Sequence, residues 1–309
     1  MSEPQNKQMS LADITVGLVV SMRPKQWIKN LFVFASLAFS QNLTHWHLLS
    51  ETVVTFFLFV AVSSAVYLLN DVLDLESDRV HPQKCRRPIA SGTVPKIWAL
   101  TSSGILAVGG IGICLALESV GYLGRGITLV LFIYLLINAA YSRWLKHVVI
   151  LDVLLVSVGF VLRAVGGGIA IKVQISGWLV LCTILVSLFL ALSKRRHELV
   201  MLEGDAANHR QILKEYTPYF LDQMIAVVTA STLMAYALYT MSPEATGRVG
   251  QRMIFTIPFV LYGIFRYLYL VHQHQKGGDP TEIMLSDRPM IINVLLWVVA
   301  VTLILTEVL

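Results

Sequence analysis

Apolar residues run along this chain in long blocks, and charged residues fall almost entirely between them. The blocks are Thr52–Leu69, Trp98–Leu117, Ile127–Tyr141, Val148–Ile171, Trp178–Leu192, Met224–Met241, Met253–Val271 and Met290–Leu309. Each is close to the twenty or so apolar residues that an α-helix needs to cross a bilayer. A shorter apolar run, Leu31–Phe39, follows the polar segment Arg23–Asn30 and is read as the end of a further helix. The pattern predicts an all-α polytopic membrane protein with nine transmembrane helices. Residues 1–22 are read as an N-terminal cytoplasmic or interfacial segment, and 23–309 as a single transmembrane domain. The first ten residues are polar and no small-residue cleavage site follows an early apolar core, so no cleavable leader is expected.

Composition agrees. Apolar residues make up 56% of the chain and charged residues 14%, against about a quarter charged in a soluble domain. Lys and Arg near helix ends mark the cytoplasmic side. Nine helices with an inside N-terminus place 19 of the 24 basic side chains inside and four outside, with Arg163 within a helix. This asymmetry predicts N-in, C-out in the cell (inner) membrane. It also accounts for the net charge of +5 without a nucleic-acid partner. The three cysteines form no metal or disulfide pattern and read as packing residues.

The chemistry concentrates at the predicted inner face. Asn70-Asp71-Val72-Leu73-Asp74-Leu75-Glu76-Ser77-Asp78 follows directly from an apolar block. On a continuous helix Asn70, Asp74 and Asp78 share one face, with Asp71 at its edge. Carboxylates so crowded repel one another unless a cation neutralises them. Mg²⁺ suits this role, because it takes one or two carboxylates together with phosphate oxygens and water. Asp74, Asp78 and Asp71 are therefore the catalytic candidates, and Asn70, Asp74 and Asp78 the metal candidates. The basic stretch with Lys84, Arg86 and Arg87 comes next, and arginine forks readily onto phosphate oxygens. Together the two segments read as a clamp for a metal-bound diphosphate.

The pattern NDxxDxxxD followed by KxxRPxxxG resembles the UbiA superfamily of intramembrane transferases, and the resemblance spans the whole chain. It implies a diphosphate donor held through Mg²⁺ in a cavity open to the cytoplasm and the lipid. Most members resemble one another in a second acidic motif, roughly DxxxD, after the sixth helix. Here that region reads Leu192-Ser193-Lys194-Arg195-Arg196-His197-Glu198-Leu199, then Glu203-Gly204-Asp205. A basic second half-site suits an acceptor that is itself a phosphate. Arg23, Lys25 and Lys29 add cations at the mouth of the first helix, and the set Arg23, Lys25, Lys29, Lys194, Arg195 and Arg196 is read as able to position that acceptor, with the division of the cations between donor and acceptor left open by the sequence.

Four segments, Arg23–Asn30, Asn70–Pro82, Leu192–Leu199 and Gly277–Arg288, resemble the decaprenyl-phosphate phosphoribosyltransferase branch. That likeness implies 5-phosphoribosyl 1-diphosphate as donor and a polyprenyl phosphate as acceptor. In organisms with arabinan-containing walls such a step feeds the arabinose donor. Asp152 and Glu198 are further binding candidates. Arg163 lies about 16 Å along the axis from Asp152, and reads equally as a hydrogen-bond hub or a cavity wall. Gly166-Gly167-Gly168 reads as close helix packing, and Gly277–Arg288 as a lid or a plain connection. A prenyltransferase with an aromatic acceptor, a transporter and an inactive scaffold remain alternatives. A homo-oligomer is compatible with the sequence.

Overall fold

In a lipid environment every backbone N–H and C=O must find its partner within the chain, so long apolar blocks fold as helices. A computed structural model describes residues 10–40, 45–81, 84–201, 211–273 and 280–306, and no strand occurs among them. The helices are α1 (Leu11–Ser21), α2 (Ala35–Phe39), α3 (Trp46–Leu73), α4 (Leu75–Val80), α5 (Lys96–Ser119), α6 (Ile127–Arg143), α7 (Leu151–Ala170), α8 (Gly177–Met201), α9 (Pro218–Met241), α10 (Pro243–Val249), α11 (Ile257–Gln273), α12 (Pro280–Ser286) and α13 (Arg288–Leu305).

Among the described residues seven helical stretches are long and apolar enough to cross a membrane. The other two expected spans take different forms. Ile127–Arg143 is helical but has only 17 residues. The first expected span is broken: Pro24–Phe34 is a 3₁₀ helix, followed by the five-residue α2. Runs of 3₁₀ helix beyond three or four residues are uncommon, and this one is held by its three-residue period. Trp27 donates to Ser64 Oγ at 3.2 Å, Asn30 donates to Ser63 Oγ at 3.3 Å, and Val33 is fully buried. These three residues form one stripe that docks on α3 and α7.

Glycine makes the docking possible. A Cβ at Gly167 would stand 2.0 Å from the Val33 carbonyl oxygen, and one at Gly166 would stand 2.9 Å from the Phe59 ring. The glycine triplet is thus a contact surface deep in the bundle, as its apolar setting suggested.

Among the described residues the interior has two large apolar centres and two smaller ones, around Leu68 and Ile89 and around Met253 and Ile304. Val33, Phe59, Val62, Ile127 and Leu131 fill the half built from the 3₁₀ segment, α3, α5, α6 and α7. Phe189, Leu192, Leu221, Tyr267 and Met290 fill the half built from α8, α9, α11 and α13. Large apolar side chains such as Ile105, Val108, Leu129 and Leu295 are exposed on the outside, as a lipid-facing surface requires. At one end of the bundle lie the start of the 3₁₀ segment, the end of α3, α4, the end of α6, the start of α7, the end of α8 and the start of α9. All the candidate chemistry lies at this end.

Candidate active site

The acidic motif is not one continuous helical face. α3 stops at Leu73, and Asp74 (φ −90°, ψ 7°) serves as the junction from which α4 begins. The break regroups the side chains. Asp71 and Asp78 turn inward, each 3% exposed. Arg87 Nη1 donates to both, at 3.2 Å to Asp71 Oδ1 and 2.6 Å to Asp78 Oδ2. Arg23 donates to Asp71 as well, and its guanidinium lies 4.9 Å from the Tyr67 ring centre. Asp74 faces elsewhere and accepts from Lys146 Nζ at 2.8 Å. Asn70 accepts from Ser142 Oγ. The expected Asn70–Asp74–Asp78 set is therefore split, and Asp71, placed at the edge in the sequence reading, becomes the partner of Asp78.

Two buried carboxylates that share a guanidinium, with a third on the adjoining turn, fit the needs of a magnesium ion bridged to substrate. Such an ion takes few protein ligands and completes its octahedron with phosphate oxygens and water. No group of three or more acidic, His or Cys side chains stands ready as a metal cage among the described residues.

The second half-site behaves differently from its expected role. The three consecutive bases do not act together. Lys194 stands 3.9 Å from Glu198. Arg196 turns to Asp222, which His272 also approaches at 3.2 Å. Arg195 points inward and is 5% exposed. Its Nε donates to Asp152 Oδ2 at 2.7 Å, its Nη1 to Glu198 Oε2 at 2.6 Å, and its Nη2 to Tyr141 OH at 3.4 Å. The other Asp152 oxygen accepts from Tyr216 OH at 2.8 Å, and that hydroxyl in turn accepts from Ile150 N–H at 2.8 Å. Burial pushes the Tyr216 phenol up to about 12, so it holds its proton as a donor through the neutral range. Arg195, Asp152 and Glu198, expected separately at the substrate, form one internal brace. Ile150 pays for its place with a positive φ of 69°, a conformation unfavourable for a β-branched residue.

Other expectations resolve plainly. Lys25 and Arg86 are exposed, Lys29 and Lys84 half-buried. Arg163 is a hub: it donates to Asn30 Oδ1, the Gly159 carbonyl and Tyr134 OH, each at 2.7 Å, and lies over the Phe160 and Tyr134 rings. Asp287 caps α13 through Met290 N–H and takes both ends of the Arg266 guanidinium at 3.1 and 2.9 Å. Thr281 reaches Gln26 at 3.4 Å, so α12 lies against the 3₁₀ segment. Glu203, Gly204, Asp205 and Gly277–Asp279 lie outside the described residues.

Lys146, Ser142, Tyr141, Tyr216 and Asp222 carry site contacts that the sequence reading missed. In the sequence Lys146 and Arg143 read only as two of the charges that mark the inner face. The spacing Tyr141-Ser142-x-x-x-Lys146 at the end of an apolar block holds the usable signal, because polar groups at the end of α6 and on the 3₁₀ turn after it can reach both half-sites.

A family model described as the UbiA prenyltransferase family matches residues 30–286. A decaprenyl-phosphate phosphoribosyltransferase from Corynebacterium glutamicum is 33% identical over 300 residues, covering 96% of this chain and 89% of that protein. Its namesake from Mycobacterium tuberculosis is 34% identical over 295 residues, covering 94% of each. Among solved structures, a UbiA homolog from Archaeoglobus fulgidus bound to DMAPP and Mg²⁺ has a TM-score of 0.68 at 14% identity, covering 94% of this chain and 99% of that one. Digeranylgeranylglyceryl phosphate synthase has a TM-score of 0.64 at 16% identity, again over 94% and 99%. These likenesses establish the bundle, and the family model establishes the lineage: the chain belongs to the UbiA prenyltransferase family.

Proposed function

We propose that this protein transfers the 5-phosphoribosyl group from 5-phosphoribosyl 1-diphosphate to a polyprenyl phosphate such as decaprenyl phosphate, releasing diphosphate. The observation that carries the reading is similarity at 33–34% identity over nearly the full chain to enzymes named for that reaction. The geometry is consistent. A buried acidic pair with attendant cations suits a diphosphate donor, and Lys194 and Arg196, each beside a carboxylate at the same end, are the second half-site's candidates for an acceptor phosphate.

In this reading Asp71 and Asp78 would hold the donor's diphosphate through Mg²⁺, with Asp74 on the adjoining turn as a further ligand candidate. The ion would supply stabilisation of the charge that grows on the leaving group. Arg23, Arg87 and Lys146 lie within reach of the same phosphates, with Lys84 and Arg86 on the adjoining segment. Positive charge develops at the ribose anomeric carbon, as in glycosyl transfer generally. An acceptor phosphate oxygen forms the new bond there as the bond to diphosphate breaks. That oxygen is already anionic near neutral pH, so the site needs no strong general base. Lys25, Lys29, Lys194 and Arg196 orient the acceptor, while the Arg195–Asp152–Tyr216 brace fixes α7, α8 and the start of α9 around it. An apolar groove of ≈ 230 Å³ between α8, α9, α11 and α13, lined by Phe189, Thr232, Ile264, Tyr267 and Trp297, suits an isoprenoid tail. The motif end faces the cytoplasm of the cell membrane, with residues 1–22 as an interfacial segment and 23–309 as one transferase domain.

The test is transfer of label from phosphoribosyl diphosphate to a polyprenyl phosphate by purified protein with Mg²⁺. Labelled lipid from the wild type, with at least a hundredfold loss in Asp78→Asn, is the expected result. Prenyl transfer to an aromatic acid, with no labelled lipid, would replace this reading with ordinary prenyl transfer.

A further inference from the structure

Every aspartate of the acidic motif stands against a basic side chain of this chain. Asp71 is held by Arg23 and Arg87, Asp78 by Arg87 at 2.6 Å, and Asp74 by Lys146 at 2.8 Å. The cations arrive from three different elements: the start of the 3₁₀ segment, the loop after α4 and the α6–α7 turn. The carboxylates of Asp71 and Asp78 are almost fully buried, whereas Arg23, Arg87 and Lys146 keep 30%, 29% and 22% of their side chains exposed. Asp71 and Asp78 lie fixed beneath cations that border open space, whereas Asp74, 38% exposed, stands at the rim beside Lys146.

A metal ion alone meets an unfavourable exchange here. It must displace basic groups from partly buried carboxylates, and a charge stripped of its partner in such a place is costly. The two phosphates of a donor change the balance, because each displaced cation then has an anion to turn to. We propose that Arg23, Arg87 and Lys146 are exchangeable stand-ins for the metal. They neutralise the acidic motif in the empty protein and pass to the diphosphate when metal and diphosphate enter together. Metal and diphosphate therefore bind with strong mutual dependence, and by linkage each raises the affinity for the other by the same factor. This rests on the diphosphate-donor reading above and adds what keeps the site closed to metal until donor is present.

The experiment compares three titrations of purified protein in nanodiscs: Mn²⁺ alone, followed by loss of its free-ion spin-resonance signal; pyrophosphate alone in chelator; and the preformed Mn²⁺–pyrophosphate complex, followed by calorimetry. The complex is expected to bind at least tenfold tighter than either component. Lys146→Met and Arg87→Met are expected to tighten binding of Mn²⁺ alone by severalfold and to weaken binding of the complex. Lys146→Arg should behave like the wild type, which separates loss of charge from loss of structure. The exchange is overturned if Mn²⁺ alone binds within threefold of the complex, or if both charge-removing variants weaken Mn²⁺ alone. If neither pyrophosphate nor the complex binds, the donor reading falls and the exchange falls with it. Binding of the complex without the crossed effect sinks the exchange and leaves the donor reading standing.

Discussion

Arg195 shows how one side chain can read differently in sequence and in space. Along the chain it is the middle of three bases, and it looks like a phosphate clamp. In the bundle it is buried against Asp152 and Glu198. Removing one partner of a buried pair leaves the other charge uncompensated, typically at a cost of about 3–5 kcal/mol. Arg195→Ala should lower the detergent-solubilised protein's unfolding temperature sharply, and the double variant Arg195→Met/Asp152→Leu should recover much of the loss. Equal destabilisation by single and double variants would count against the brace. Lys146 shows the reverse case. Its contact with Asp74 spans 72 residues, and nothing local distinguishes it from a charge that merely marks the inner face. The motif aspartates were legible because their spacing is local. Their division into an Asp71–Asp78 pair and a separate Asp74 was not, because it depends on where α3 ends.

Among the elements, the long helices were legible nearly to their ends. The apolar block Thr52–Leu69 lies inside α3, and Trp98–Leu117 inside α5. Thr217 and Pro218 open α9 as their order suggests, with Thr217 Oγ1 accepting from Phe220 N–H at 3.1 Å. The first span was not legible. Its run from Leu31 to Phe39 carries no sign that the chain before it would wind with a three-residue period. That winding follows from docking Trp27, Asn30 and Val33 on a neighbour, and the neighbour's glycines lie more than a hundred positions away. Gly167→Ala tests the fit. Its added methyl meets backbone, which cannot rotate away. Overpacking of this kind costs about 1–3 kcal/mol. Since the 3₁₀ segment also carries Arg23, Lys25 and Lys29, transfer activity should fall alongside thermal stability. Full activity in Gly167→Ala would show that the segment tolerates displacement.

At the scale of the molecule, charge and hydropathy together specify a membrane bundle with its chemistry at one end. Arg125 and Lys172 lie at the end opposite Lys84, Arg86 and Lys146 along the helices, where Lys172 donates to the Gly121 carbonyl at 2.8 Å. If the motif end is cytoplasmic, a cysteine at Arg86 should resist a membrane-impermeant thiol reagent in intact cells, and one at Arg125 should react. The opposite result would invert the protein in the membrane. The division of the interior into separate apolar centres, the two largest joined through α7, was not legible, because apolar blocks of similar composition carry no label for their neighbours.

The guanidinium shared between Asp71 and Asp78 also bears on inhibitor design. A compound shaped like the ribose or like the lipid tail leaves that contact undisturbed. A non-hydrolysable bisphosphonate offers the arginine an alternative anion and can bring a divalent ion with it. Its potency should therefore rise with added magnesium, whereas that of an uncharged sugar mimic should not.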